Sequence, residues 1–317
     1  MIRAPRIESR NVLLDRLARA RAETDKVFEL VKPEALYDRP IPERHRIIFY
    51  LGHLEAFDWN LLQPRLPNLK ALDPTLDRLF AFGIDPVDGG LPSDQPGDWP
   101  RESQVNLYSH RIRTGLDQAL ADARDWGGDE TGETLLNVAI EHRLMHAETL
   151  AYILHQLPYD RKLALAQPAA PDRGAVEHET ISVPAGRVLL GLSRDAGIFG
   201  WDCEFEQKVV EVPEFTIDRY LVTNGQFLDF ILSGGYEDHR LWVEGDWKWK
   251  EKHGIEHPVF WTGRNGKFRY RAMFEESIRV KRTMRLAKFW RFIARFYPRH
   301  RRDEFKRFSG IVLMKRT

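Results

Sequence analysis

The stretch EHRLMHAETLAYILHQLP (141–158) carries His142, His146 and Glu148 in the spacing H-x-x-x-H-x-E. On a helix, residues four apart lie one turn above the other on the same face, so two imidazoles so placed can converge on one ion. Glu148 lies about 200° around the helix from His146, off the ligand face. Its expected role is support beside a ligand, or a cap on another helix, rather than ligation. A third ligand has to come from elsewhere, and His53 in YLGHLEAFDW (50–59) offers one. Three imidazoles on facing helices leave coordination positions open to water, oxygen or substrate. Imidazole suits Fe(II), Zn and Cu alike, so the ligand set does not choose the metal. Spacing alone also leaves the plainer reading open, since an i,i+4 histidine pair in a charged helix is often only solvated or hydrogen-bonded. By the same test His155 reads as structural, and His45, His110 and His300 as surface residues.

The elements that must position these side chains read first as helices. Apolar residues at Val12, Leu13, Leu17, Ala20 and Val27 predict a helix from Ser9 to about Val31. A second runs from Glu43 to Gln63 and stops at Pro64. A long loop follows, including the Gly-, Pro- and Asp-rich segment 83–100. The third helix spans Arg101 to about Arg124, and the fourth runs from about Thr131 to Leu157, before Pro158. Four helices with a long crossover predict a bundle over residues 1–160. Residues 161–180 read as a linker. From Thr180 the texture changes to short runs with turn residues: TISVPAGRVLLGL, KVVEVPEFTIDRYLVT, GDWKWK and HPVFW. These predict short strands and aromatic-rich loops, with one helix capped at Thr223 or Asn224. The fold class is thus α+β, with a second domain over 181–276.

At 317 residues two domains are expected, and 43% hydrophobic residues suffice for both cores. No apolar run approaches the roughly 18–20 residues a membrane span needs, and the N-terminus has no signal-peptide core. Cys203 is the single cysteine, which predicts a reducing cytoplasm and a buried small hydrophobe rather than a nucleophile. The net charge of +1 hides an asymmetry. Residues 278–317 hold 14 Lys or Arg and two acids, so the tail is +12 and the rest −11.

The order of His53 and then His142-RLM-His146-A-Glu148 resembles the DinB-like bundle of EgtB-type ergothioneine sulfoxide synthases. The later segments ISVPAGRVLLGL, FGWDCEFE, VEVPEFTIDRYLVTNGQFLDFILSGGYEDHRLW and HPVFWTGRNGKFRYRAMFEE resemble the opening half of the formylglycine-generating-enzyme-like (C-type-lectin-like, sulfatase-modifying) domain that follows that bundle. The resemblance covers about residues 10–276. It implies a non-haem iron enzyme with Fe(II) held by His53, His142 and His146. Family members use O2 to join the sulfur of cysteine or γ-glutamylcysteine to the imidazole of trimethylhistidine, leaving a sulfoxide. No membrane or nucleic-acid partner is expected.

Two departures stand out. The family's substrate-carboxylate patch has no evident arginine pair here, only Arg78 before the 83–100 loop and Arg101 after it, which opens the sulfur donor to other small thiols. After Glu276 the family pattern stops and the basic tail begins, so the lectin-like domain is expected to be incomplete. A frameshift in a GC-rich gene or a basic extension would each produce such a tail. Two alternatives therefore stand beside the synthase: a metal-binding relative without that activity, and a DinB-like metal-dependent thiol transferase.

Overall fold

The computed structural model describes residues 10–66, 69–70, 72–84, 90–123, 130–163, 177–263 and 267–277. The expected basic tail, most of the expected linker and His300 lie outside the described residues. The chain divides into two compact units, with the main break between Ala166 and Gln167.

In the first unit, α1 (Arg10–Phe28), α2 (Ile47–Leu62), α4 (Glu102–Asp122) and α5 (Glu130–Gln156) are the long helices, and α3 (Pro74–Phe82) is a short one between α2 and α4. α1 packs on α5, while α2 contacts α3, α4 and α5. This central place explains why α2 is apolar almost all round, with Ile47, Ile48, Leu54, Ala56 and Leu62 buried. α4 buries Val105, Tyr108, Ile112, Leu116 and Leu120, one stripe at three- and four-residue spacing. α5 closes the core with Leu136, Ile140, Leu150, Ile153 and Leu154, and Leu157 just beyond its end is buried too. Each such side chain contributes about 1.5–3 kcal/mol on burial.

The four expected helices are present with ends shifted by a few residues, but α3 lies inside the segment read as loop. Asp73 caps it by accepting from the backbone N–H groups of Thr75 and Leu76, both at 3.1 Å, and Pro74 occupies its first turn. Phe80 of α3 is fully buried. Tyr108 ties α3 to α4 by donating to Asp77 at 2.8 Å. The start of α2 is clamped to the crossover segment through Asp94. That carboxylate accepts from Arg39, from Arg46 Nε at 2.9 Å and from Trp99 Nε1 at 2.7 Å.

The second unit pairs β1 (Thr180–Val183) with β4 (Phe215–Asp218) and β2 (Gly186–Leu190) with β3 (Lys208–Val212), both antiparallel. A three-stranded antiparallel sheet follows, in the order β5 (Trp261–Thr262), β6 (Arg269–Arg271), β7 (Glu276–Ser277). α6 (Asn224–Leu232) begins at the expected cap, with the Thr223 hydroxyl accepting from Gln226 N–H. GDWKWK forms part of a helix, α7 (Glu244–His253), and not strand or loop as expected. Its alternating Trp and Lys imitate a two-residue period, but Gly254 in the left-handed region ends a helix. Trp261 and Phe268 form a small core with Phe227, Leu228, Ile231 and Tyr270. The first two strand pairs contribute little to burial: Leu189 is 65% exposed and Ile217 is 50% exposed. Cys203 is exposed, so the expectation of a buried cysteine is corrected. Its neighbours Asp202 and Glu204 are polar and keep that turn at the surface.

Candidate metal centre

α2 and α5 bring all three expected histidines together. One ligand atom from each of His53, His142 and His146 lies within 4.8 Å of the other two. Ring centroids are 5.1 Å apart for His53 and His142, 4.9 Å for His53 and His146, and 4.5 Å for His142 and His146. α2 also supplies the aromatic walls. Phe57 stacks on His142 at 3.4 Å and 10°, Phe49 stacks on His53 at 4.6 Å, and Tyr50 lies 5.5 Å from His146. Phe49, His53 and Phe57 recur every four residues, so one face of α2 carries both a candidate ligand and the rings that orient it.

The three imidazoles fit a cation. His53 Nδ1–H donates to the Phe80 carbonyl at 2.6 Å, which fixes the tautomer and leaves Nε2 with its lone pair free. His142 and His146 each keep a buried Nδ1 without a hydrogen-bond partner. Burial holds all three below the ordinary histidine pKa, aided by repulsion from neighbouring histidines, His45 among them, and from Arg143, and His146 falls to about 3. They are therefore neutral near pH 7, the form that ligates metal. An imidazole cluster fits a divalent first-row ion better than a hard, oxygen-seeking one.

The other candidate residues separate clearly in space. Glu148 is buried, yet neither oxygen has a hydrogen-bond partner, so it caps no helix among the described residues. Burial pushes its carboxyl up to about 8. His155 is buried and apart from the cluster, and His110 is exposed. His45 is not the surface residue expected: it is half-buried, with its ring 4.1 Å from Phe49, beside the candidate site. Sequence reasoning misses the Phe80 carbonyl, for which Asp73-Pro74 as a helix start is the available signal.

These shifts set a pH dependence for the metal-free protein. Between pH 6.5 and their lowered values, the histidines bind protons in the unfolded chain only, so stability falls as pH falls below 6.5. Glu148 acts oppositely: between 4.5 and about 8 the folded state holds the extra proton, so its contribution is lost as pH rises through that window. Each group acts at about 1.4 kcal/mol per pH unit while only one state is protonated. Urea unfolding with chelator is expected to show a maximum near pH 6.5. Glu148→Gln should flatten the arm up to pH 8 and leave the acid arm in place. A flat acid arm would contradict the burial of neutral imidazoles.

The fold and site define a class, a helical bundle with a three-histidine centre followed by a second α+β unit. Residues 166–277, which include most of that second unit's described residues, match the Sulfatase-modifying factor enzyme 1-like domain. Along both units the chain is similar to curated relatives. It is 28% identical to the hercynine oxygenase of Mycolicibacterium smegmatis over 258 residues, 80% of this chain and 58% of that protein. It is also 28% identical to the hercynine oxygenase of Mycobacterium tuberculosis, over 83% of this chain and 60% of the relative. Ergothioneine biosynthesis protein 1 of Neurospora crassa is 28% identical over 64% of this chain and 25% of its own length. The two-part resemblance read from the sequence holds in these matches, and with it the α+β fold class and an enzyme lineage. The chain spans 60% or less of the length of these three relatives. Among the described residues no helix is long and apolar enough to cross a membrane.

Proposed function

We propose that this chain serves an iron-dependent sulfoxide-synthase reaction, in which a small thiol is joined to the imidazole ring of a trimethylated histidine. The balanced reaction takes RSH, an imidazole C–H and O2 to a sulfoxide R–S(=O)–imidazole and water. One oxygen atom enters the product, the other leaves as water, and O2 accepts the four electrons. His53, His142 and His146 would hold Fe(II), and bound iron would supply sites for the thiolate and O2 together with the redox chemistry. The observation that carries the reading is the neutral three-imidazole cluster, complete within the first unit. The relatives named hercynine oxygenase support the trimethylhistidine substrate, and the thiol partner follows from the family resemblance.

The chain's own residues have definite tasks in this reading. The Phe80 carbonyl holds His53 in one tautomer, Phe49 and Phe57 restrict ring rotation, and the apolar walls keep the imidazoles unprotonated. A second reading, a metal-dependent thiol transferase, is favoured by the completeness of the centre within one unit. The cytoplasm is the compartment consistent with a free, exposed Cys203.

The test is anaerobic Fe(II) titration of the full chain, followed by oxygen-electrode assays with trimethylhistidine plus cysteine or γ-glutamylcysteine. One iron per chain and O2 uptake that needs both substrates are expected. Iron binding without O2 uptake, combined with transfer of thiol to an electrophile under nitrogen, would favour the transferase. Absence of specific iron would end the synthase reading, and absence of any specific Fe(II), Zn(II) or Co(II) binding would end both.

A further inference from the structure

Directly beside the histidines, the bundle buries a layer of charge that the metal centre does not itself use. Arg143, adjacent to His142 on α5, has a fully buried side chain. Its Nε donates to Asp58 Oδ2 at 2.8 Å, and its Nη2 donates to Glu55 Oε2 at 2.6 Å and to the Leu54 carbonyl at 3.1 Å. All three acceptors lie on α2, within five residues of His53. From α4, Arg113 donates to the other Glu55 oxygen at 2.7 Å and reaches Asp25 of α1 at 2.6 and 2.7 Å. Arg21 of α1 lies 3.9 Å from Asp58 and donates to Asp117 of α4 at 2.5 Å. The layer therefore ties together all four long helices. Glu55 thus lies between two guanidinium groups, Arg143 on one oxygen and Arg113 on the other.

Stability does not account for such a layer. Removing both signs of charge from water is costly, and well-packed apolar replacements are often equally stable or more so. What an apolar seam lacks is a single register. Leucines on α2 and α5 tolerate sliding and rotation, whereas Arg143 reaches both carboxylates and the Leu54 carbonyl in one alignment only. A slip of one turn, about 5.4 Å, would leave it unpaired in the core. His53 precedes Glu55 by two positions, and His142 immediately precedes Arg143. The alignment that pairs Arg143 Nε and Nη2 with these acceptors is thus also the one that places His53 against His142 and His146.

We infer that Arg143, with Glu55 and Asp58, is the positioning layer of the three-histidine centre: it selects the α2/α5 register in which the ligand atoms converge. The inference rests on the metal-binding reading above. Arg143 acts here through the helices and touches no reacting atom, so it is a positioning residue and not a catalytic one.

The test is Co(II) titration of the full chain under anaerobic conditions, read by the visible d–d bands, with urea unfolding in parallel. Arg143→Met and Leu116→Ala, a buried α4 leucine with no part in the layer, form a pair in which both weaken the fold. Arg143→Met is expected to weaken Co(II) binding at least tenfold and to alter the d–d bands, while Leu116→Ala leaves both unchanged. Arg143→Lys, which keeps the charge but not the fork, should fall between wild type and Met. If Arg143→Met does not fold, the near-isosteric Asp58→Asn carries the same expectation at about threefold or more. Wild-type-like binding and spectra in the Arg143 and Asp58 variants would overturn the inference, as would equal weakening by Leu116→Ala. Failure of the wild type itself to bind Co(II) would instead overturn the metal reading, and this inference with it.

Discussion

His142→Ala is expected to abolish stoichiometric metal binding while the chain stays folded. Three imidazoles are the whole candidate ligand set among the described residues, and two cannot hold an open first-row site with comparable strength. Changes to groups that merely support ligands already cost about 10–100-fold in affinity, so loss of a ligand should exceed about 100-fold. The fold should tolerate the change because His142 makes little of the core's apolar contact. It is 7% exposed, its Nδ1 is unpartnered, and its main neighbour is the Phe57 ring. The cavity should cost about 1–3 kcal/mol, at or below the lower end of large-to-small core changes, offset below pH 6.5 by removal of an imidazole that resists protonation. His110→Ala, at an exposed position outside the cluster, is the control and should bind metal normally. Equal iron content in His142→Ala and wild type, measured after gel filtration, would remove His142 from the ligand set.

The centre is legible in the sequence because its chemistry lies in local periodicity. His142 and His146 are one turn apart on a helix whose apolar pattern is clear, and His53 sits in the most continuously apolar helix of the chain. The long elements are legible for the same reason, since burial of one face leaves a 3.6-residue signature. What the sequence hides are features decided by tertiary contacts. α3 is only nine residues long and buries one side chain, Phe80, so no periodicity announces it and only its Asp73-Pro74 start does. α7 resembles a strand in sequence because its Trp and Lys side chains alternate. Lys250 lies 4.1 Å from the Trp247 ring centroid and is itself buried, so a residue type that usually marks the solvent face belongs to the packed side. Arg143 escapes notice for a similar reason. An arginine between candidate ligands reads as solvated until Glu55 and Asp58 are found opposite it.

In the second unit most of the apolar side chains of β1 to β4 stay exposed. Ile181 opposes Ile217 and Leu189 opposes Val209 across their pairs, yet all four remain 45% or more exposed. Such patches favour association. The first unit, by contrast, holds a core of buried apolar side chains, with the three histidines buried or half-buried beside it. The three candidate ligands therefore lie wholly within the first unit, and their metal binding can be tested apart from the second.

Gly52→Ala is expected to damage both the stability of the first unit and its metal affinity, although alanine is the better helix former. In an exposed helix interior the exchange would gain about 0.5–1 kcal/mol. At Gly52 a Cβ would lie 2.5 Å from three atoms of the Phe80 ring, well inside van der Waals contact. That ring is fully buried, with Tyr108 at 5.6 Å and Trp99 at 6.4 Å between centroids, so it has nowhere to swing. Relief requires α3 to move away from α2, at about 1–3 kcal/mol for an overpacked core. The clash outweighs the helical gain. The same movement draws the Phe80 carbonyl from His53 Nδ1, where the present distance is 2.6 Å. Loss of that bond frees the imidazole to rotate and change tautomer, which should weaken metal binding by about 10–100-fold. Gly115→Ala is the matched control on α4, because the nearest side-chain atoms lie 3.7 Å away and space exists for the methyl group. It should raise stability by about 0.5–1 kcal/mol and leave metal affinity alone. If Gly52→Ala proves as stable as Gly115→Ala and binds Co(II) as tightly, the close approach of α2 and α3 does not govern His53.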